Sequence, residues 1–239
     1  MDVRSVSLVT ERWSARAAAL LLLYVVTAYG IMPMVWTRYE RRHPALEQTP
    51  TLTHTASGVP GDPLNVALVG SEEEVRRTMN AAGWVLAARL GLRADLSIAA
   101  DTALRWPDPD APVSNLYLFG RPEDLAFEQE VGASPRSRHH VRFWKTDQRE
   151  GGRLVWIGAA VFDRGVGISH TTGQITHLIA PAIDDERNFL FEGLQKTGEL
   201  AVSDVVDGYH QVQRGTNGDG NAWQTDGRLF VGVLQPIGR

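Results

Sequence analysis

The spacing of apolar and polar positions changes character along the chain. From Ala17 to Thr37 twenty-one consecutive residues carry no charge, bounded by Arg16 and Arg38. At 1.5 Å rise per residue such a run spans about 30 Å as a helix, the thickness of a bilayer's hydrocarbon core. Trp13 precedes it, and Trp36 and Tyr39 stand at its far end, where interfacial aromatics belong. The pattern predicts a transmembrane helix over 17–37 behind an N-terminal tail, 1–16. A signal peptide cleaved after Val26-Thr27-Ala28 would leave apolar Tyr29 to Trp36 at the mature N-terminus. A buried core helix is rarely this long without charge. The uncleaved anchor is the favoured reading.

Residues 38–62 turn polar, and from His43 they are rich in Thr and Pro, which predicts a linker. Leu64 to Val69 (LNVALV) then reads as a strand. Ser71 with Glu74 three residues on forms a capping box for a helix to about Ala82, with Gly83 as its stop. A second helical stretch is expected over Arg93 to Leu104. Pro107, Pro109 and Pro112 then force an irregular loop.

Period-two patterning takes over from there. It predicts strands at Asn115–Gly120, Leu125–Val131, His139–Lys145 and Leu154–Phe162, with Val166–Ser169 pairing on the last. Leu154–Phe162 (LVWIGAAVF) is apolar on both faces, as a central strand is. Another strand ends at Pro181. Ile183 to Thr197 reads as a helix. Asp226-Gly227 predicts a hairpin turn between Trp223–Thr225 and Arg228–Leu234. The expected fold is α+β: a single N-terminal transmembrane helix, then one strand-rich domain over 63–239 with a central mixed or antiparallel sheet.

Charge and composition narrow the function classes. The chain holds 24 basic and 28 acidic residues; 6 and 3 of them lie in residues 1–42, which leaves 18 and 25 beyond, a net of −7. A domain so acidic is a poor general binder of nucleic acid. No cysteine is present, which excludes disulfides, thiolate metal sites and a cysteine nucleophile. Arg4, Arg12 and Arg16 on one side of the span balance Arg38, Arg41 and Arg42 on the other, so arginine asymmetry assigns no side to the domain.

Three segments carry a family likeness: LYLFGRPEDLAFEQEVGASPRSRHHVRFW from Leu116, IGAAVFDRGVGIS from Ile157 and ITHLIAPAIDDER from Ile175. Together they resemble the C-terminal domain of the LssY family of bacterial proteins, over roughly Gly61 to Gly193. The resemblance implies a bacterial envelope protein of the inner membrane. In that family the domain is often fused to DedA-like and type 2 phosphatidic-acid-phosphatase membrane domains, and has no established activity of its own. This chain has one membrane helix and none of the phosphatase motifs, so no residue inherits lipid-phosphate chemistry.

Candidate chemistry centres on the strand through Arg138. Alternation places His139, Val141 and Phe143 on one face, and Arg138, His140, Arg142 and Trp144 on the other. Two guanidiniums flanking an imidazole suit phosphate or carboxylate. The plainer reading is a solvated strand face paired with Glu123, Asp124, Glu128 and Glu130. A second set, His140, Asp163, His170, His177, Asp184 and Asp185, could bind metal; Asp163, His170 and His177 are its candidate ligands. Its spacing matches no compact metal motif, and Asp184 and Asp185 stand where the next helix begins, as N-caps do. Asn217 to Asn221 reads as a glycine turn, since Ala222 and Arg228 break the calcium-loop pattern. No serine sits in a Gly-x-Ser-x-Gly elbow.

The expected function is a membrane-anchored accessory or binding module recognising an anionic group, a phosphate or a lipid head group. The alternative is a metal-assisted envelope hydrolase using the His and Asp residues. Expected partners are the lipid bilayer, an anionic small molecule and a membrane protein, with no nucleic acid and no cofactor.

Overall fold

The structure is a computed structural model that describes residues 16–35, 43–46, 49–55, 58–87, 115–131, 134–168 and 175–238. The expected helix at 93–104, the proline loop and His170 lie outside these residues. The chain divides into two compact units, Met1–Pro44 and Ala45–Arg239.

The first unit contributes helix α1, Arg16–Val35, which is long and apolar enough to cross a membrane. Its side chains are exposed, Leu20 to Leu23 at 61–67 %. The turn Thr27–Ile31 widens to a π-turn in which the Met32 N–H reaches back to the Thr27 carbonyl. Pro33 follows at once and has no N–H to give the ladder, which accounts for the local register shift.

The second unit is built on an eight-stranded mixed sheet. Its strands are β3 (Val66–Val69), β4 (Val85–Leu86), β7 (Leu125–Val131), β8 (Ser134–Glu150), β9 (Arg153–Ile168), β10 (Ile175–Ile179), β11 (Leu200–Val206) and β14 (Leu229–Leu234). The order is β11-β14-β3-β9-β8-β7-β4, with β10 also on β9. Among the described residues of this sheet only the β14–β3 pair is parallel. The strands read as 139–145 and 154–162 are the middles of β8 and β9, and Val166 belongs to β9 itself. The two join through Gly151 and Gly152 at φ +55° and +80°, a turn that asks for positive φ at both positions.

Helices α2 (Glu72–Ala81) and α3 (Ile183–Thr197) cover one face. The Ser71–Glu74 capping box forms in both directions. Val75, Met79, Leu190, Phe191 and Leu194 from the helices pack with Val66, Leu68, Val141, Phe143 and Trp156 from the sheet. The opposite face is also covered. Strands β1 (Leu52–His54), β2 (Pro60–Pro63), β5 (Tyr117–Leu118) and β6 (Arg121–Pro122) form a four-stranded sheet in the order β2-β1-β5-β6. Ala45, Leu46, Leu64, Leu116 and Leu118 pack there with Trp144, Val155, Ile157 and Val231. Much of the segment read as a linker, 38–62, is therefore part of the domain: the Thr53 hydroxyl donates to the Asp62 carbonyl at 2.9 Å and is fully buried.

Two further expectations are revised. Trp223 and Arg228 do not face each other across a hairpin. β13 (Ala222–Gln224) pairs with β12 (Arg214–Thr216), whereas β14 joins the main sheet. Asp226 and Gly227 still turn, with Gly227 at φ +86°. Helix α3 begins where expected, but its N-cap is Ala182, with no side-chain cap. Asp184 instead accepts from the Thr225 hydroxyl at 2.8 Å and the Asp226 N–H at 2.6 Å.

The sheet has one seam. β3 pairs with Val155–Gly158 of β9, and β10 pairs with Asp163–Ile168. Asn65 fills the space between: its side chain accepts from the Ala160 N–H at 2.8 Å and donates to the Ala160 carbonyl at 2.9 Å and the Ile183 carbonyl at 3.2 Å.

Candidate functional site

β8 is the spine of the candidate site, and its alternation runs as expected. Val141 and Phe143 enter the core under the helices, and Trp144 enters the core on the other side. Arg138, His140 and Arg142 share the Trp144 face, opposite Asp163, Val161 and Ala159 of β9. What differs is the surroundings. The solvated face of the plainer reading is absent over most of the row, because the small sheet lies over it. The side chains of His140 and Arg142 are each only 4 % exposed, and Trp144 is fully buried.

Five ionisable side chains meet there. The Arg142 Nη1 is 3.3 Å from the Asp62 Oδ2, and its Nε is 3.9 Å from the Glu123 Oε1. The His140 Nδ1 is 3.8 Å from the Asp163 Oδ2. Asn217 donates to Asp62 at 3.4 Å. Burial pushes the Asp62 carboxyl up; Arg142 opposes this, and Asp163 adds to it. Two buried polar atoms of the row, the His140 Nδ1 and the Trp144 Nε1, have no hydrogen bond among the described residues. Such groups are rare in a folded interior. Arg138 sits at the rim, donating to Glu128 at 2.9 Å, as the strand-pairing reading expected.

His139 points to the other face. Its Nδ1 is 2.7 Å from the Glu186 Oε2, and its ring stacks on Phe189 at 3.8 Å between centroids. Glu186 is 3 % exposed, and its Oε1 has no hydrogen bond among the described residues. Burial raises its carboxyl, with His139 opposing and Asp163 adding.

A third cluster surrounds Arg187, which is fully buried. It grips Asp226 through Nη1 at 2.8 Å and Nη2 at 3.0 Å, and also donates to Asp184, Asn188 and the Arg228 carbonyl at 3.0–3.2 Å. Burial pushes the Asp226 carboxyl up, but Arg187 and Arg228 outweigh it and hold the group well below the usual carboxylate range.

Of the candidate metal ligands, only Asp163 has a described side chain; His170 and the side chain of His177 lie outside the described residues. Asp163 lies beside His140, His177 falls within β10 without a described side chain, and among the described residues no three metal-type side chains converge. Asp184 is occupied with Arg187 and Thr225. Sequence reasoning missed Asp62, which carried no signal within its Gly-Pro surroundings. It also passed over Glu186, although that residue lies in the ITHLIAPAIDDER segment that carries the family likeness. A family model described as the LssY C-terminus matches residues 46–229. No curated protein and no solved structure matches the chain.

Proposed function

This chain belongs to the LssY C-terminal family, and from that premise we propose that it is a membrane-anchored module whose domain recognises an anionic group at the His140–Arg142 cluster. The anchor is α1, long and apolar enough to span a membrane. One observation carries the site: the His140 Nδ1 is buried without a hydrogen bond among the described residues, 3.8 Å from Asp163 and beside Arg142 and Asp62. Stability alone is a poor reason to bury so many ionisable groups, because desolvation offsets the gain from pairing. Buried, perturbed titratable groups gather where ligands are handled.

The charge balance shapes the ligand. Asp62, Asp163 and Glu123 oppose Arg142, so an anion is accepted only with protons. Asp62 is held towards its neutral form by burial. An incoming anion favours the protonated imidazole of His140, and Arg142 supplies planar donors. Binding therefore tightens as pH falls. Calorimetry of the full chain in detergent, with inorganic phosphate and with glycerol phosphate, tests this at about pH 6 and about pH 8. Tighter binding at the lower pH, lost in His140→Gln, supports the reading; no heat at either pH removes it. A hydrolytic reading would need the His140 Nδ1 and the Asp163 Oδ2, 3.8 Å apart, to close to hydrogen-bond distance. Release of the alcohol from a phosphate ester in the same samples would favour it.

A further inference from the structure

Trp144 and Trp156 are both fully buried against the main sheet, one on each face. The Trp156 Nε1 donates to the Gly70 carbonyl at 3.0 Å. The Trp144 Nε1 has no hydrogen bond among the described residues. An indole N–H can only donate, and a buried one normally finds an acceptor. Phenylalanine would fill the same apolar surroundings, Leu46, Leu64, Leu116 and Ile157, without burying a polar atom.

Trp144 stands two positions beyond Arg142 on one face of β8, and His140 two positions before it. The His140 Nδ1 is the other orphan of this row. The carboxylates that cover the layer are committed elsewhere. Glu123 accepts from the Leu116 N–H at 3.2 Å through Oε2, and its Oε1 lies 3.9 Å from Arg142. Asp62 accepts from Asn217 through Oδ1 and faces Arg142 with Oδ2. Thr146, two positions further on, donates its hydroxyl to the Val155 carbonyl at 2.9 Å. Among the described residues, what the row lacks at Trp144 is an acceptor. A cation could not supply it, because the indole nitrogen has no lone pair to give.

Spacing bears on the size of the missing group. His140 and Trp144 are about 13 Å apart along the strand. A single phosphate with one hydrogen bond on either side bridges donors only about 8 Å apart. A compact anion seated at His140 and Arg142 stops short of Trp144.

We propose that the ligand of this cluster extends beyond its anionic group, placing the anion at His140 and Arg142 and a neutral acceptor oxygen, hydroxyl or ester, on the Trp144 Nε1. Phosphate esters of glycerol have that chemistry, whether free or as a lipid head group. Trp144 is then a specificity residue of the site. The inference rests on the anion-binding reading above and adds the length and second polar group of the ligand.

The full chain in detergent tests it. Calorimetry at about pH 6 compares inorganic phosphate with glycerol phosphate. One added neutral hydrogen bond should make glycerol phosphate bind about three- to tenfold tighter. In Trp144→Phe the two should bind alike, with inorganic phosphate unchanged. A preference missing from the parent, or kept in Trp144→Phe, overturns the inference and leaves the anion site standing. No heat with either probe overturns both. A second readout does not depend on the variant folding: with isotope-labelled tryptophan in the parent, the Trp144 indole signal should move further with glycerol phosphate than with inorganic phosphate, and the Trp156 signal should stay in place. An equal response to both probes overturns the inference as well. Phosphatidylglycerol added to the same micelles separates the sources. If it also moves the Trp144 signal, the ester is a lipid head group; if only the free ester does, the ligand is a soluble molecule.

Discussion

Arg142 and Arg187 are both buried arginines facing carboxylates, yet they are held in different ways. Arg187 makes six hydrogen bonds of 2.8–3.2 Å, two of them in a fork on Asp226, with its Cζ 4.1 Å above the Phe230 ring. Arg142 lies 3.3 Å from Asp62 and 3.9 Å from Glu123. The carboxylates record the difference. Asp226 is held below its ordinary value of 3.8 and Asp62 above it. Close, bidentate geometry recovers much of the desolvation of both partners. One cluster fastens α3 to the turn before β14. The other gathers Arg142, His140 and three carboxyls in a dry layer.

The sharpest way to break this contrast is to remove each guanidinium. Arg187→Met leaves Asp184 and Asp226 without their shared partner and should cost about 3–5 kcal/mol in urea unfolding. Arg142→Met should cost less, since an apolar side chain can fill the layer and the Asp62 carboxyl, raised by burial, is the more readily neutralised. Equal losses would show that the two clusters do the same work. Ala159→Leu probes the room around Arg142, its partner in the strand pairing. Ala159 is buried in that layer, so overpacking should cost about 1–3 kcal/mol; a parent-like melting curve would reveal slack next to the site.

The two carboxyls also predict opposite pH behaviour. Asp226, lowered on folding, contributes stability that is present above its unfolded value and lost as pH falls towards the folded one. Asp62, raised on folding, contributes stability that is present below its unfolded value and lost as pH rises through the folded one. Asp226→Asn should therefore cost on the order of 1–2 kcal/mol at neutral pH, discounted because Asp226 is partly exposed, and almost nothing in strong acid. Asp62→Asn should flatten the decline on the neutral side. Stability–pH curves that shift in parallel for both variants would erase the distinction. The smallest effect belongs to the rim: Arg138→Ala should cost within about 1 kcal/mol, and a larger loss would place Arg138 with Arg187.

Local patterns carried much of this fold. Ile183–Thr197 and the Ser71 capping box were legible because a helix face and a cap depend on residues three or four apart. The apolar run Leu154–Phe162 announced a central strand without help from its neighbours. The failures share one cause, which is a distant partner. Asp226-Gly227 looked like a hairpin turn until Arg187, thirty-nine positions earlier, claimed the carboxylate. Alternation placed Arg142 and His140 on the correct side of β8 but could not say what covers that side. The cover comes from 49–55 and 58–63, polar and proline-containing pieces, and from 115–122, a strand whose pairing with them is visible only once the sheet exists.

Asn65 gives the domain an internal gauge. Its amide copies a peptide unit, one acceptor and one donor, across the gap where neither β3 nor β10 reaches β9. The Ala160 amide proton is therefore guarded by a side chain, while those further along β9 are guarded by main chain. Hydrogen exchange at that single proton reports when the amide swings away, independently of the strands parting. Aspartate in its place could accept but, ionised, could not donate; glutamine would overreach. The gauge sits between Ile183, where α3 starts, and the strand that bears Asp163, so a ligand that tightens the cluster should first be read there.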